Sequence, residues 1–252
     1  SSNSFYSSLD ADSEGEEGKF YVWEEEELKS ILKENYNLCQ DYYNINPNEK
    51  WEGKYILLKK NTDSVIAQKN NISINKLKNK INNINTLLFN EREKRIRPGL
   101  DDKCLTSWNG LMLKAYTDAY KAFHDEKFLQ NAIKTADFLL QNQTKKDYGL
   151  FHSYKNGIST INGFLEDYAF VIEGLIGLYE ISFDEKWLNE ADKFIEYILT
   201  HFFDNNSGMF FFTSDQDDPL ITRKMEITDN VIPASNSSIA KSLFLIGHIK
   251  TK

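Results

Sequence analysis

The sequence predicts an all-α fold, an α/α toroid of helical hairpins with short β-hairpins between units, on three observations. One is an internal repeat. Asp125-Glu126-Lys127 and Asp184-Glu185-Lys186 match at 184 − 125 = 59 residues, and this offset also pairs Ala132 with Ala191, Gly149 with Gly208 and Phe151 with Phe210. The second is apolar spacing of helical period within each repeat. The third is a glycine closing each helical pair, followed by a short alternating stretch that reads as a strand. A lone helical hairpin cannot bury its apolar face, so repeats stack. Inner helices then ring a funnel and outer helices cover them, with a superhelical solenoid as the competing layout.

The elements follow in chain order. Residues 8–23, SLDADSEGEEGKFYVW, form an acidic loop before an aromatic run. Asp10, Asp12, Glu14 and Gly15 satisfy the first part of a calcium-binding EF-hand loop, but the twelfth position is Tyr21 where a bidentate Glu is needed. The loop is either a solvated acidic turn or a flap whose acids, Tyr21 and Trp23 hang over the toroid mouth. EEEELKSILKENY and INKLKNKINNINTLLFNEREK, residues 74–94, read as helices, joined through the strand-like WEGKYILL at 51–58. EREKRIRPG at 91–99 reads as a solvated helix end because Glu91 and Glu93 interrupt its cations.

In the first repeat, Leu111, Leu113, Ala115, Tyr116 and Ala119 place a helix over about 107–123. Asp125 is an N-cap for the next, which carries Phe128, Leu129, Ala132, Ile133 and Ala136. Gly149 breaks that pattern, and LFHSYKNG alternates into a turn at Asn156-Gly157. The second repeat predicts helices over about 164–182 and 184–202 and a strand in GMFFFTSD. A third begins near Asn236.

The chain has 252 residues, 40% of them hydrophobic, enough for a substantial core. It is read as a single domain over residues 1–252, a piece of something longer, because GHIKTK stops in mid-helix pattern. The net charge of −8 argues against nucleic acid, which needs a concentrated basic face. Cys39 and Cys104 form no CxxC, and no stretch reaches the ~18 apolar residues of a membrane span. No signal peptide opens the chain, so the expected location is cytoplasmic. His124, His152, His201 and His248 are scattered and match no metal motif, and no cofactor or metal is expected. Only His152, on the hairpin after the first repeat, has a route to the mouth as a base; a structural role is the alternative.

The polar residues that carry information precede the inner helices. They are Asp101, Asp102, Lys103, Trp108 and Asn109; then Glu166, Asp167 and Tyr168; then Glu226, Asp229, Asn230 and Asn236. In a toroid these positions open at one end, where aromatic faces stack on sugar rings and paired carboxylates bind hydroxyls or supply acid and base. Helix capping is the competing explanation for each acid or amide taken singly. It does not call for Trp108 and Tyr168 alongside.

FYSSLDADSEGEEGKFYVW, RPGLDDKCLTSWNGLM, GFLEDYAFVIEGLIGLYE and DNVIPASNSSIA together resemble the YyaL-type proteins, the spermatogenesis-associated thioredoxin-like family (DUF255), from about residue 5 to residue 245. The resemblance implies a thioredoxin-like domain ahead of a toroid similar to N-acylglucosamine 2-epimerase and six-hairpin glycosidases. This chain would be the middle of that toroid. Related epimerases use a histidine pair, which this sequence does not supply; the acidic motifs fit carboxylate chemistry as in toroidal glycoside hydrolases. The expected function is therefore a carbohydrate-binding or carbohydrate-active domain. The alternatives are a non-catalytic domain presenting clients or partners to the thioredoxin-like module, and a purely structural use of the acids. Glu166, Asp167 and Asp102 are the catalytic candidates, with Glu166 as general acid because an apolar helix entry raises its pKa. Asp10, Asp12, Tyr21, Trp108, Asn109, Tyr168, Asp229 and Asn236 are the candidate contacts to a sugar or other small-molecule ligand.

Overall fold

A computed structural model describes residues 3–218 and 221–250. By its contacts the chain forms two compact units, Ser1–Ser8 with Asp102–Lys252, and Leu9–Asp101.

In the 9–101 unit, α1 (Glu25–Leu32), α2 (Tyr36–Tyr42), α3 (Asp63–Lys69) and α4 (Ile74–Arg92) enclose a core that includes Leu28, Leu32, Leu77 and Ile84. The helix expected across EEEELKSILKENY is broken at Lys33, whose φ of 50° interrupts the α-helical path. The expected strand at 51–58 is only two isolated bridges, Trp51 to Lys54 and Trp23 to Tyr55. Arg95 departs furthest from the expected solvated helix end. Its guanidinium donates to Phe20 O at 2.9 Å and Val22 O at 2.8 Å, pairs with Glu27 at 2.7 Å and lies 4.2 Å over the Trp23 ring. The basic run thus ties down the aromatic stretch that follows the acidic loop.

That loop is a small antiparallel hairpin, Asp12–Ser13 against Glu16–Glu17, turning through Gly15 at φ 78°. Lys19 pairs with Glu14 at 3.4 Å and Glu16 with Lys54 at 3.2 Å. Beside it lies a cavity of about 370 Å³ bordered by Lys19, Phe20, Val22 and Arg95.

The 102–250 unit holds the repeat: α5 (Thr106–Phe123), α6 (Glu126–Asn142), α7 (Leu165–Ser182), α8 (Glu185–His201) and α9 (Ser235–Lys250). The first helices of the two repeats start 165 − 106 = 59 residues apart and the second helices 185 − 126 = 59, which is the sequence period. Local chemistry repeats with it. Asp125 and Asp184 accept from Lys127 N and Lys186 N as N-caps, and His124 and Phe183, each at φ 54°, close α5 and α7 in the left-handed conformation.

Helix α7 is the centre of this unit. Its buried residues, among them Leu165, Ile172, Leu175 and Leu178, cover more than one face, because α5, α8 and α9 all pack on it. Helices α5 and α7 approach closely at glycine. A Cβ on Gly110 would stand 2.7 Å from the Phe170 carbonyl carbon.

A three-stranded antiparallel sheet links the repeats: Phe151–Lys155 in the middle, Cys104–Leu105 and Ile158–Asn162 outside, with Cys104 opposite Tyr154 and Phe151 opposite Asn162. Its tight turn is the expected Asn156-Gly157, both at positive φ. At the same period, the short pairing of Phe203–Asp204 with Met209–Phe210 in the second repeat matches the Thr144 to Leu150 bridge of the first, not the three-stranded sheet.

Candidate functional site

Helix α7 begins with the doublet Glu166–Asp167, and the central strand carries His152 to it. Asp167 is fully buried. Its Oδ1 accepts from Ser107 N at 2.8 Å, in the first turn of α5, and its Oδ2 accepts from Phe164 N at 2.9 Å. One carboxylate therefore caps its own helix and the neighbouring inner helix, which is why an acid is tolerated here. His152 Nδ1 lies 2.9 Å from Oδ2 and 3.2 Å from Oδ1. Strand alternation turns His152 away from buried Ser153, and its Nε2 has no partner among the described residues. Glu166, half-buried, accepts from Ser107 Oγ at 3.4 Å.

The electrostatics follow from burial and proximity. The hydrogen bond to Asp167 holds the His152 imidazole above its ordinary 6.5, against the opposing cost of burial. Burial pushes Asp167 up, opposed by His152 and the two backbone N–H donors. Burial also pushes Glu166 up from 4.5, and the charge of Asp167 adds to the effect. Three protonatable groups therefore share one corner, each pushed upward from its ordinary value.

The Phe164 ring stands beside them. Phe164 meets His152 edge-on at 4.9 Å and stacks on Phe212 at 5.2 Å, and Trp108 in the first turn of α5 is 44% exposed. Glu226 contributes a further negative charge to Glu166, while its own Oε2 accepts from Ser235 N and Oγ at 3.2 and 3.0 Å, at the start of α9.

Donor atoms of His152, Glu166 and Asp167 lie within 4.8 Å of one another, the spacing of a possible metal site. Both Asp167 oxygens already accept backbone N–H bonds and His152 Nδ1 faces that carboxylate, so the arrangement fits a proton-holding dyad better than a ligand set.

The other candidates divide. Asn109, Tyr168 and Asn236 all bind backbone. Asn109 takes Phe5 N at 2.8 Å and gives to Phe5 O and Leu105 O; Asn236 takes Phe210 N at 2.9 Å and gives to Phe210 O and Glu226 O; Tyr168 Oη accepts from Leu150 N at 2.7 Å. Each inner helix thus staples the segment packed before it, and a ligand-contact role for these three gives way to a structural one, since their polar atoms are buried and spoken for. Asp102 pairs with Lys155 at 2.6 Å, a bond that lowers its pKa and holds it as an anion, unsuited to donating a proton. Exposed Asp229 accepts from Ala234 N ahead of α9. No bond ties Asp102 or Asp229 to His152, Glu166 or Asp167 among the described residues. Asp10, Asp12 and Tyr21 belong to the 9–101 unit. There Asp10 accepts from Asp12 N at 3.2 Å, and Tyr21 is 43% exposed with its ring edge-on to Phe20.

Two cavities of the 102–250 unit, of about 270 and 390 Å³, lie against α6 and include none of His152, Glu166 or Asp167. Volume and chemistry are thus separate here. Buried groups with perturbed proton affinity concentrate at functional sites, which favours the His152–Asp167 corner over either cavity. His152 is the histidine for which the sequence offered a route to the mouth, whereas Phe164 and Phe212 carried no signal of their own.

No protein-family model matches the chain. It is 30% identical over 280 residues to spermatogenesis-associated protein 20 of Mus musculus, covering 96% of this chain and 35% of that protein. An uncharacterized Caenorhabditis elegans protein is 28% identical over 279 residues, covering 98% of this chain and 38% of its own length. The chain thus spans between 35% and 38% of these relatives. Among solved structures, cellobiose 2-epimerase of Bacillus thermoamylovorans superposes with a TM-score of 0.50 at 15% identity, over 60% of this chain and 40% of that one. The chain shares the α/α-toroid fold of such carbohydrate-active proteins. A Clostridium acetobutylicum family 105 glycoside hydrolase gives 0.49 at 14% identity, over 75% and 55%.

Proposed function

We propose that this chain is the proton-transfer part of a carbohydrate-active domain of the glycosidase or epimerase type, acting on a sugar held against Phe164 and Trp108. The observation that carries the reading is the His152–Asp167 pair, an imidazole 2.9 Å from a fully buried carboxylate with Glu166 next to it. Asp167 orients the ring and keeps Nε2 directed outward. His152, raised above 6.5, is the proton donor near neutrality, and Glu166, raised from a lower 4.5, is the carboxylate that accepts. The acid role expected of Glu166 passes to His152 on this reading, and Asp102 has none. Activity then rises with pH as Glu166 ionises and falls as His152 deprotonates above 6.5.

The same reading takes a thioredoxin-like domain as the covalent neighbour in the full-length protein, on the strength of the sequence resemblance. Among the described residues no helix is long and apolar enough to cross a membrane. The test is a glycosidase and epimerase panel on the full-length protein. Loss of turnover by ~100-fold or more in His152→Gln and in Glu166→Gln, with circular dichroism unchanged, supports the proposal. Full turnover in both variants overturns it.

A further inference from the structure

We infer that the His152–Glu166 site takes a saccharide without a carboxylate, neutral or amino-bearing, and discriminates against uronates; the inference rests on the proposed function above. The charges around the site carry it. Glu166 and Glu226 present carboxylates, and the His152–Asp167 pair adds no net charge while it holds one proton. A sugar carboxylate needs a cationic fork, ideally a guanidinium with two parallel N–H bonds. Arg223, the only arginine of the 102–250 unit, is spent elsewhere. It donates to Thr213 O and His201 O and lies 4.2 Å over the Phe211 ring. Lys155 is paired with Asp102 at 2.6 Å. Lys103 acts on His152 electrostatically, and exposed Lys224, whose carbonyl accepts from Phe212 N at 2.7 Å, is a point charge without a guanidinium's fork. The stacked Phe164–Phe212 wall suits the C–H face of a pyranose of any charge, so the discrimination is electrostatic.

The experiment measures binding of three β-linked disaccharides to the full-length protein by saturation-transfer NMR and calorimetry at low and high salt: cellobiose, chitosan disaccharide and cellobiouronic acid. The expected result is binding of the first two, with the uronate weaker than cellobiose by about 5-fold or more at low salt and the gap narrowing at high salt. Glu226→Gln, which keeps an acceptor for Ser235, is expected to shrink the ratio of amino to neutral affinity by about 3-fold. Uronate binding as tight as cellobiose overturns the inference and leaves the proton-transfer proposal standing. Silence from all three ligands with a folded protein overturns both.

Discussion

The proton shared by His152 and Asp167 gives stability a pH dependence of definite sign. His152 has its folded pKa raised above 6.5, so the native state binds more protons than the unfolded chain between 6.5 and the raised value. Its contribution is fully present below 6.5 and lost as pH rises through the folded value. Asp167 and Glu166, raised from 3.8 and 4.5, act with the same sign over windows that open at those values. Urea midpoints should therefore fall as pH rises above 6.5, and His152→Gln should flatten that fall. Asp167→Asn should bring the His152 pKa back toward 6.5 in an NMR titration. It should also cost about 2–4 kcal/mol, because Ser107 N and Phe164 N lose a charged buried acceptor.

For the helices, the decisive features are caps, staples and close contacts. Asp125→Ala and Asp184→Ala should each cost about 1 kcal/mol, read from urea midpoints, since each removes an N-cap acceptor from one outer helix. Asn236→Ala should cost more, about 2–3 kcal/mol, because it leaves Phe210 N without its acceptor inside the structure. Gly110→Ala should be worse tolerated than an ordinary helix glycine substitution. The new methyl meets Phe170 and Val171 backbone at 2.7 and 2.8 Å, and α5 must move off α7 to admit it. The sequence marked all these helices within a residue or two through spacing and caps. It did not mark the break at Lys33 or the role of Arg95, which depend on what packs against them rather than on local pattern.

Across the whole molecule, the repeat makes α7 the element on which the 102–250 unit depends. Ile172 and Leu175 are at most 1% exposed, packed among neighbours from several helices. Leu175→Ala should destabilise by about 2–5 kcal/mol in urea titration, and the His152–Asp167 pair should loosen with it because Asp167 sits on the same helix. The 59-residue period read from a few matched positions reappears in the helix starts, so the architecture was legible from sequence. The site was legible only in part. The Glu166–Asp167 doublet stood out as acids at an apolar helix entry. Asn109, Tyr168 and Asn236 looked like ligand contacts because amides and aromatics at a helix start have the same appearance whether they face a cavity or a backbone.

By itself the sequence determined the repeat, the order and ends of the helices of the 102–250 unit, and the turn at Asn156-Gly157, because periodicity, caps and backbone preference act over a few residues. Tertiary structure alone decided that His152 meets Asp167, fifteen positions on, that one carboxylate caps two helices, and that Asp102 goes to Lys155. Those outcomes depend on which donor reaches which acceptor once the helices are packed, and no local pattern encodes that distance.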